Sequence, residues 1–298
     1  MQRAVPLQKH SINEQEISEY FPLDLVQSRM LGVYEALLGV VMTPVPNPHV
    51  WHKDVTMFAV HDNSAGCHSW QQGRLMGYFY MDLFPRPGKY GHACCVPAQR
   101  GAGANADGSR KRIAAAAMLA NFAPPSGGRP SLLRHSEVVT FFHEFGHVMH
   151  HILSDTKHVA FASFDVETDF VEAPSQMLEN WCWEAETLQR LSGHYLDESK
   201  PLPLKHAEAL AASKDEHTAL LTLRQLMFGV FDLTLHGIKP GGVRSGRGAE
   251  VAVASGGVVH AGGIQRRPLT FVCAAVLDHP CVLAPGRGHG GPAACDVP

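Results

Sequence analysis

The sequence predicts a mainly α-helical domain that carries a small antiparallel β-sheet. Apolar residues recur at helical spacing in several segments, while a few shorter runs are rich in β-branched and aromatic residues. Hydrophobic residues make up 45% of the 298-residue chain and charged residues only 18%. This composition supplies enough material for a packed core and excludes disorder of the chain as a whole.

The first part of the chain supplies one predicted helix and the sheet. Residues 1–16 are polar and are expected to be loosely held. Apolar positions from Leu23 to Leu38 follow helical spacing and predict a helix, and the VMTPVPNPHV segment after it is expected to be a proline-broken connector. Three strands of an antiparallel sheet are predicted at DVTMFAV (54–60), MGYFYMDLF (76–84) and KYGHACCV (89–96).

The middle of the chain, from residue 97 to about 228, is predicted to contain a loop, one ambiguous segment and then mainly helices. A loop is expected at 97–110, and KRIAAAAMLANF after it fits either a helix or a buried strand. SLLRHSEVVTFFHEFGHVMHHIL predicts a long helix, with Ser136 as its candidate N-cap and Glu137 favourable in its first turn. Two more helices are predicted, at 171–190 with Pro174 in the first turn, and at about 205–228.

The last part of the chain has a different character. Residues 237–298 lose the helical periodicity and contain glycine-rich runs such as GGVRSGRG and APGRGHGGPAA. This composition is typical of low-complexity chain, so a disordered tail is expected there.

Charge, hydropathy and cysteine usage exclude several classes of protein. The net charge is −3, without the basic excess that nucleic-acid binding needs. No apolar run approaches the roughly 20 residues that span a bilayer, and the first residues lack a signal-peptide core. The seven cysteines are odd in number and form no CxxC pair, which favours a reducing compartment. We expect a cytoplasmic monomer, with mitochondria as the alternative location.

The motif that carries chemistry is His143-Glu144-Phe145-Gly146-His147. Residues four apart lie on one face of a helix, so both imidazoles can bind one Zn²⁺ at about 2.0–2.1 Å. Glu144 lies one step round the helix, where it can reach a water that the metal holds. Two ligands and a general base on one helical turn are typical of a zinc peptidase.

A catalytic zinc site needs a third protein ligand. The metzincin pattern would require glycine and histidine where the chain has Met149 and Leu153, and no inverted HxxEH motif is present. A ligand from a later helix remains, and Glu172 is the candidate because it opens the predicted helix VEAPSQMLENW. Glu179, two turns further along, is a candidate for orienting a ligand histidine, and Asp169 is a weaker one.

Two long segments resemble the thimet oligopeptidase and neurolysin family of zinc metallopeptidases. They are FFHEFGHVMHHIL and DFVEAPSQMLENW. Three further segments are similar to the same family and occur in the same order, namely MGYFYMDLFPRPGKYGHA, DGSRKRIAAAAMLANF and LRQLMFGVFDLTLH. The resemblance covers about residues 11–236. It implies a partial metallopeptidase catalytic region over 17–236, with a zincin-like, mostly helical fold and a deep channel.

The resemblance also implies roles for individual residues. His143, His147 and Glu172 would bind one zinc ion per chain, and Glu144 would be the catalytic base. The substrates would be short peptides. The small sheet lies beside the cleft in this family, so its edge could bind substrate backbone by strand addition. The substrate-binding candidates there are Gly88, Tyr90, Gly91, His92 and Ala93.

Two alternatives to an active oligopeptidase remain open at this point. Family members are more than twice as long as this chain, and their glycine- and tyrosine-rich substrate-contacting stretch has no counterpart after His236. A catalytically impaired, zinc-binding fragment or isoform would therefore also fit the sequence. A non-catalytic interaction protein that recruits partners through its glycine-rich tail is the third hypothesis.

Overall fold

The computed structural model describes residues 13–63, 73–105, 110–215 and 218–236. The chain divides into two compact units, Met1–Ala219 and Leu220–Pro298. The α-helices are α1 (Glu14–Ser18), α2 (Leu23–Leu38), α3 (His135–Leu153), α4 (Ala173–Glu179), α5 (Ala185–Leu191), α6 (Leu204–Ser213) and α7 (Thr218–His236). Short 3₁₀ helices cover Val159–Phe161 and Asn180–Trp183. No helix in these described ranges is long and apolar enough to span a bilayer.

Seven strands form two sheets in the described part of the chain. They are β1 (Val40–Pro44), β2 (Thr56–Asp62), β3 (Leu75–Asp82), β4 (Cys94–Gln99), β5 (Ala102–Ala104), β6 (Arg110–Arg112) and β7 (Ala114–Leu119). The larger sheet has the order β1-β2-β3-β7-β4, and β5 pairs with β6 separately. Strand β4 therefore forms one edge of the larger sheet.

The predicted antiparallel sheet is wrong in one respect, because the sheet is mixed. Strand β7 lies between β3 and β4, parallel to β3 and antiparallel to β4. The AAAAML run of β7 fits a helix as well as a strand by its sequence, and tertiary burial decides between them. Ala114, Ala116 and Met118 alternate as fully buried residues on one face of the strand, as expected for a sheet face that packs on a core.

Two loop or connector predictions and the start of one predicted strand are wrong as well. Strand β1 occupies the start of the predicted proline-broken connector, and β4, β5 and β6 enter the predicted loop at 97–110. The predicted strand at 89–96 begins only at Cys94. Gly88 before it has φ +80°, and the buried Lys89 donates to three carbonyl oxygens of neighbouring segments. These contacts hold residues 88–93 as a loop.

Helix α2 has the predicted bounds, whereas other helical predictions need correction. The prediction that residues 1–16 are loosely held is wrong at its end, because α1 begins at Glu14. Residues 1–12 lie outside the described residues. The predicted helix at 171–190 is divided into α4, a 3₁₀ turn and α5, and the one at 205–228 into α6 and α7. Asn180 donates from its side chain to the Met177 carbonyl at the first break, a local bond that competes with the helical ladder.

The core lies between the sheet and the helices α2 and α3. Helix α3 is buried along most of its length and contacts β3, β4 and β7. Phe79 of the sheet, Phe145 of α3 and Tyr34 of α2 form successive edge-to-face ring contacts, and the Tyr34 hydroxyl donates to the Phe142 carbonyl at 2.7 Å. This packing gives α3 a fixed position on the sheet. The predicted tail at 237–298 lies outside the described residues.

A buried ionic cluster anchors the loop that leads from β3 to β4. Asp82, only 1% exposed, accepts hydrogen bonds from Trp51 and Arg86 and forms an ion pair with Lys89 at 2.9 Å. Burial by itself raises the pKa of Asp82, but the hydrogen bonds from Arg86 and Lys89 outweigh it and hold the pKa well below its usual range. The carboxylate therefore stays charged and holds both cations in place.

Replacing Asp82 with alanine is expected to destabilise the fold strongly. The Lys89 ammonium would remain buried without its counter-charge, and breaking such a buried pair costs about 3–5 kcal/mol. Thermal unfolding measures the effect as a lower Tm. The exposed pair of Asp197 and Lys200, 3.1 Å apart, supplies the matched control, because Asp197→Ala is expected to leave the Tm nearly unchanged. Equal Tm values for the two variants would contradict this account of the loop.

Candidate metal centre and active site

Helix α3 presents the two predicted histidine ligands. Its first turn is capped by Glu137, which accepts a hydrogen bond from the Arg134 backbone N–H at 2.8 Å, and the helix begins at His135. Ser136 is therefore inside the helix, and its predicted N-cap role is wrong, because Arg134 occupies the N-cap position. One helical turn separates His143 and His147, and their ring centroids are 4.9 Å apart.

The three predicted ligand atoms converge. Glu172 Oε2 lies 3.3 Å from His143 Nε2 and 3.1 Å from His147 Nε2. These residues form the one group in the described ranges whose potential ligand atoms could hold a metal ion, all within 4.8 Å of one another. The sequence prediction that Glu172 joins the two histidines in space is therefore consistent with the structure.

Two of the three ligand candidates, His143 and Glu172, have a supporting contact. Glu179 Oε1 lies 2.6 Å from His143 Nδ1, so that nitrogen donates its proton to the carboxylate and Nε2 keeps its lone pair for a metal. The Ser175 hydroxyl donates to Glu172 Oε2 at 2.9 Å, which orients the carboxylate at the start of α4. Glu179 thus lies where the sequence analysis expected an orienting group.

Hydrogen bonds within the cluster shift the pKa values of His143 and Glu172 in opposite directions. Burial opposes a charge on His143, but hydrogen bonds to Glu172 and Glu179 outweigh it and raise the pKa of His143 to about 10. Burial likewise raises the pKa of Glu172, and the contacts with His143 and His147 outweigh it and hold that pKa below its usual range. In the absence of metal, a proton on the imidazole balances the ionised carboxylates. A metal cation supplies that balancing charge when it displaces the proton.

Helix α4 folds back antiparallel on α3. His135, at the start of α3, lies 2.8 Å from the Cys182 carbonyl oxygen at the far end of the α4 segment. Gly146, near the middle of α3, faces Ser175 at the start of α4. A Cβ at position 146 would lie only 2.8 Å from Ser175 Cα, so glycine allows the close approach that brings Glu172 to the histidines.

Gly146→Ala is expected to separate α3 from α4. The added methyl group cannot be accommodated unless the α4 backbone moves, and overpacking of this kind costs about 1–3 kcal/mol. Zinc affinity is expected to fall with stability because Glu172 moves with α4. Gly32→Ala in α2 is the matched control, since a Cβ there meets nothing within 4 Å. Zinc titration and thermal unfolding measure both effects, and a Gly146→Ala protein indistinguishable from Gly32→Ala would contradict them.

Glu144 is a buried residue of α3, beside the candidate ligand His143 in sequence. Glu144 is only 3% exposed, and it follows His143 directly in α3. Burial raises the pKa of the Cys95 thiol on β4, and the nearby Glu144 carboxylate raises it further. The Glu144 carboxylate is therefore close enough to strand β4 to act on the charge of Cys95. A carboxylate in this position can exchange a proton with a group held between the cluster and the strand.

The residues present fit a zinc ion. Two imidazole nitrogens and one carboxylate oxygen form the donor set of many catalytic zinc sites. His147 Nε2 is a buried nitrogen that makes no well-aligned hydrogen bond with the described residues, although Glu172 Oε2 lies near it. Such a nitrogen beside a carboxylate oxygen is a natural place for a cation.

Comparison with the sequences of known proteins gives the family of this chain. The sequence profile of peptidase family M3 matches residues 1–243. The chain belongs to peptidase family M3. It is 43% identical over 235 residues to the thimet-like oligopeptidase of Dictyostelium discoideum, an alignment that covers 78% of this chain and 34% of the relative.

Two further relatives carry oligopeptidase names. Oligopeptidase A of Escherichia coli is 38% identical over 231 residues, which is 76% of this chain and 32% of the relative. Saccharolysin of Saccharomyces cerevisiae is 38% identical over 239 residues, with 78% and 32% covered. This M3 chain thus spans about a third of the length of the curated relatives it matches.

The other predicted site residues are distributed differently in the M3 chain. Asp169 is exposed in the segment before α4 and does not belong to the metal-binding cluster. The predicted substrate-binding residues all lie in the loop before β4, and Asn121 Nδ2 donates to the Tyr90 carbonyl oxygen at 3.0 Å to hold that loop. These residues are Gly88, Tyr90, Gly91, His92 and Ala93.

Sequence reasoning missed three residues that shape the site. Ser175 orients Glu172, and Asp82 anchors the loop before β4. His151 is fully buried, and its ring nitrogens are hydrogen-bonded. The spacing of Ser175, three residues after Glu172 at a helix start, is a signal that could have been read as a side-chain contact, because residues three apart are neighbours on a helix surface.

Proposed function

We propose that this M3 chain is a zinc-dependent endopeptidase that hydrolyses short peptides. The observation that carries the proposal is the convergence of His143 Nε2, His147 Nε2 and Glu172 Oε2 on one point, next to the buried Glu144 in a zincin-like arrangement. His143, His147 and Glu172 would hold one zinc ion. When bound, this ion lowers the pKa of the attacking water to about 7 and polarises the scissile carbonyl.

The residues of the chain carry the proton transfers. Glu144 accepts a proton from the water as its oxygen attacks the carbonyl carbon. The same carboxyl group then delivers this proton to the amide nitrogen as the C–N bond breaks, which leaves a carboxylic acid and an amine, and transfer of the acid's proton to the amine gives a carboxylate and an ammonium group. Glu179 keeps His143 in one tautomer and orientation throughout.

Strand β4 is the proposed binding edge for the peptide backbone. It pairs with β7 on one side, forms the edge of the sheet on the other, and is exposed from Val96 to Gln99. An extended peptide that adds to this edge would pass near Glu144, because α3 contacts β4 and the Glu144 carboxylate acts on the charge of Cys95. The loop 88–93 leads into the strand and would contact one end of the peptide.

The setting of the enzyme is also part of the proposal. Cys95 and Cys182, both within the described ranges, are free thiols, which is in keeping with a reducing compartment. We infer a cytoplasmic monomer, with a mitochondrial location as the alternative. Neither a nucleic acid nor a membrane is proposed as a partner.

Hydrolysis of a quenched fluorescent peptide by the purified full chain tests the function. Turnover is expected that disappears after treatment with a chelator and returns when one equivalent of zinc is added. Folded, zinc-loaded protein without turnover would overturn the endopeptidase proposal and favour a zinc-binding fragment without useful activity. Turnover that is insensitive to chelation would overturn the metal mechanism.

A further inference from the structure

A buried histidine outside the metal cluster joins three segments that surround the site. His151 lies in α3 one helical turn after His147 and is 0% exposed. Its Nε2 lies 2.9 Å from the Gln99 carbonyl oxygen and 3.0 Å from that of Ala115. Since carbonyl oxygens only accept hydrogen bonds, Nε2 carries the proton and donates to both.

The second ring nitrogen completes the set of contacts. With the proton on Nε2, Nδ1 accepts a hydrogen bond from the Ser163 hydroxyl at 2.5 Å. Burial is the main cause that lowers the pKa of His151, which agrees with a neutral ring that both donates and accepts. All the hydrogen-bonding capacity of the imidazole is therefore used inside the protein.

The two carbonyls belong to the sheet edge where the ladder is irregular. Gln99 of β4 pairs with Ala115 of β7 just after a bulge between Pro97 and Gln99. A bulge disrupts the regular ladder and leaves backbone groups that need other partners. His151 supplies the partner for both strands at once, so it fixes the edge strand β4 against helix α3.

Ser163 belongs to the segment that leads from α3 to Glu172. It has φ +75°, an uncommon conformation for a residue other than glycine, and its backbone N–H donates to the Ser154 hydroxyl at 3.2 Å. Phe164 follows, and its ring contacts both His147 and His151 with centroids 5.9 and 5.8 Å away. The hydrogen bond from Ser163 to His151 therefore holds Phe164 against a metal-ligand candidate.

We propose that His151 is a positioning residue that holds the metal-binding helix, the edge strand β4 and the segment leading to Glu172 in one fixed arrangement through a single neutral imidazole. It touches neither the metal nor the peptide, and it acts through Ser163, Phe164 and β4. The part that concerns zinc and substrate rests on the proposed function. The part that concerns the segment 154–172 stands without it.

Three variants test the proposal in the full chain. His151→Leu fills similar space but leaves two carbonyls and the Ser163 hydroxyl without a partner. His151→Gln keeps an amide nitrogen that can donate near the Nε2 position. Ser163→Ala removes only the hydrogen bond to Nδ1. His150→Gln is the matched control, because His150 is the adjacent residue of the same helix and lies outside this set of contacts.

The first readout needs neither metal nor activity. Amide hydrogen exchange of residues 154–172 is measured in the metal-free chain, and faster exchange by at least about tenfold is expected in His151→Leu and in Ser163→Ala. His151→Gln and the His150→Gln control are expected to stay near the unchanged protein. If His151→Leu fails to fold, Ser163→Ala decides the question.

The second readout follows the metal. The rate of zinc dissociation to a chelator is expected to rise about 10–100-fold in Ser163→Ala or His151→Leu, as for other residues that support a ligand, and His151→Gln is expected to rescue it. The visible spectrum of the cobalt-substituted protein should change in the same variants. Unchanged exchange in folded Ser163→Ala would overturn the positioning role, whereas failure of the unsubstituted chain to bind zinc would overturn only the proposed function.

Discussion

Replacement of Glu144 by glutamine is expected to reduce peptide hydrolysis by about 10²–10⁴-fold while zinc binding remains. The amide cannot accept the proton of the attacking water, and general acid–base catalysis contributes a factor of this size. Glutamine has nearly the same volume as glutamate, so the packing of the buried side chain between α3 and β4 is retained. Initial rates with a quenched fluorescent peptide and zinc content of the same sample measure both parts.

The matched control for this substitution is Glu137→Gln. Glu137 lies in the first turn of the same helix, where it accepts the Arg134 N–H, and it does not belong to the group of candidate metal ligands. A small loss of stability and unchanged turnover are expected for it. A Glu144→Gln protein that retains near-normal rates would show that another group accepts the proton, and the role of Glu144 would be wrong.

Removal of one ligand is expected to have the second largest effect. His147→Ala deletes one of two imidazoles and leaves His143 and Glu172, which are too few for a stable site. Removal of a supporting residue costs about 10–100-fold in metal affinity, so removal of a ligand is expected to exceed this range. Competition titration with a zinc-binding dye measures the affinity, and turnover should disappear with the metal.

His150→Ala serves as the control for the ligand variant. His150 is half-buried three residues further along α3, outside the group of atoms that could hold a metal. Its zinc affinity is expected to stay within about threefold of the unchanged chain, a margin well below the effect of a lost supporting residue. Equal affinities in His147→Ala and His150→Ala would exclude the proposed metal centre, whatever the activity of the chain.

The sequence predicted those parts of the molecule that depend on local pattern. Helix α2, the long helix α3 and the placement of His143 and His147 on one helix face follow from spacing, whereas Glu172 was a candidate because it opens the next predicted helix. The likeness of the flanking segments to one peptidase family was confirmed by the match to family M3. The proposed roles of the individual site residues stay predictions.

Non-local contacts account for what the sequence did not predict. Alanine-rich β7 has no strong preference of its own for a strand, and its place between β3 and β4 is decided by burial of Ala114 and Ala116 against the core. Likewise, nothing near Lys89 in sequence indicates that its ammonium reaches the carbonyl of Ala120. Such contacts are the reason why the chain before Cys94 forms a loop.

The most direct test of the account is X-ray absorption at the zinc edge of the purified, folded chain. The account predicts about one zinc per chain, with two imidazole nitrogens at about 2.0–2.1 Å and a carboxylate oxygen at about 2.0–2.2 Å. The imidazole signal should be halved or lost in His147→Ala. A sulfur ligand at about 2.3 Å, or folded protein that takes up no zinc, would contradict the assignment of His143, His147 and Glu172 as the metal centre.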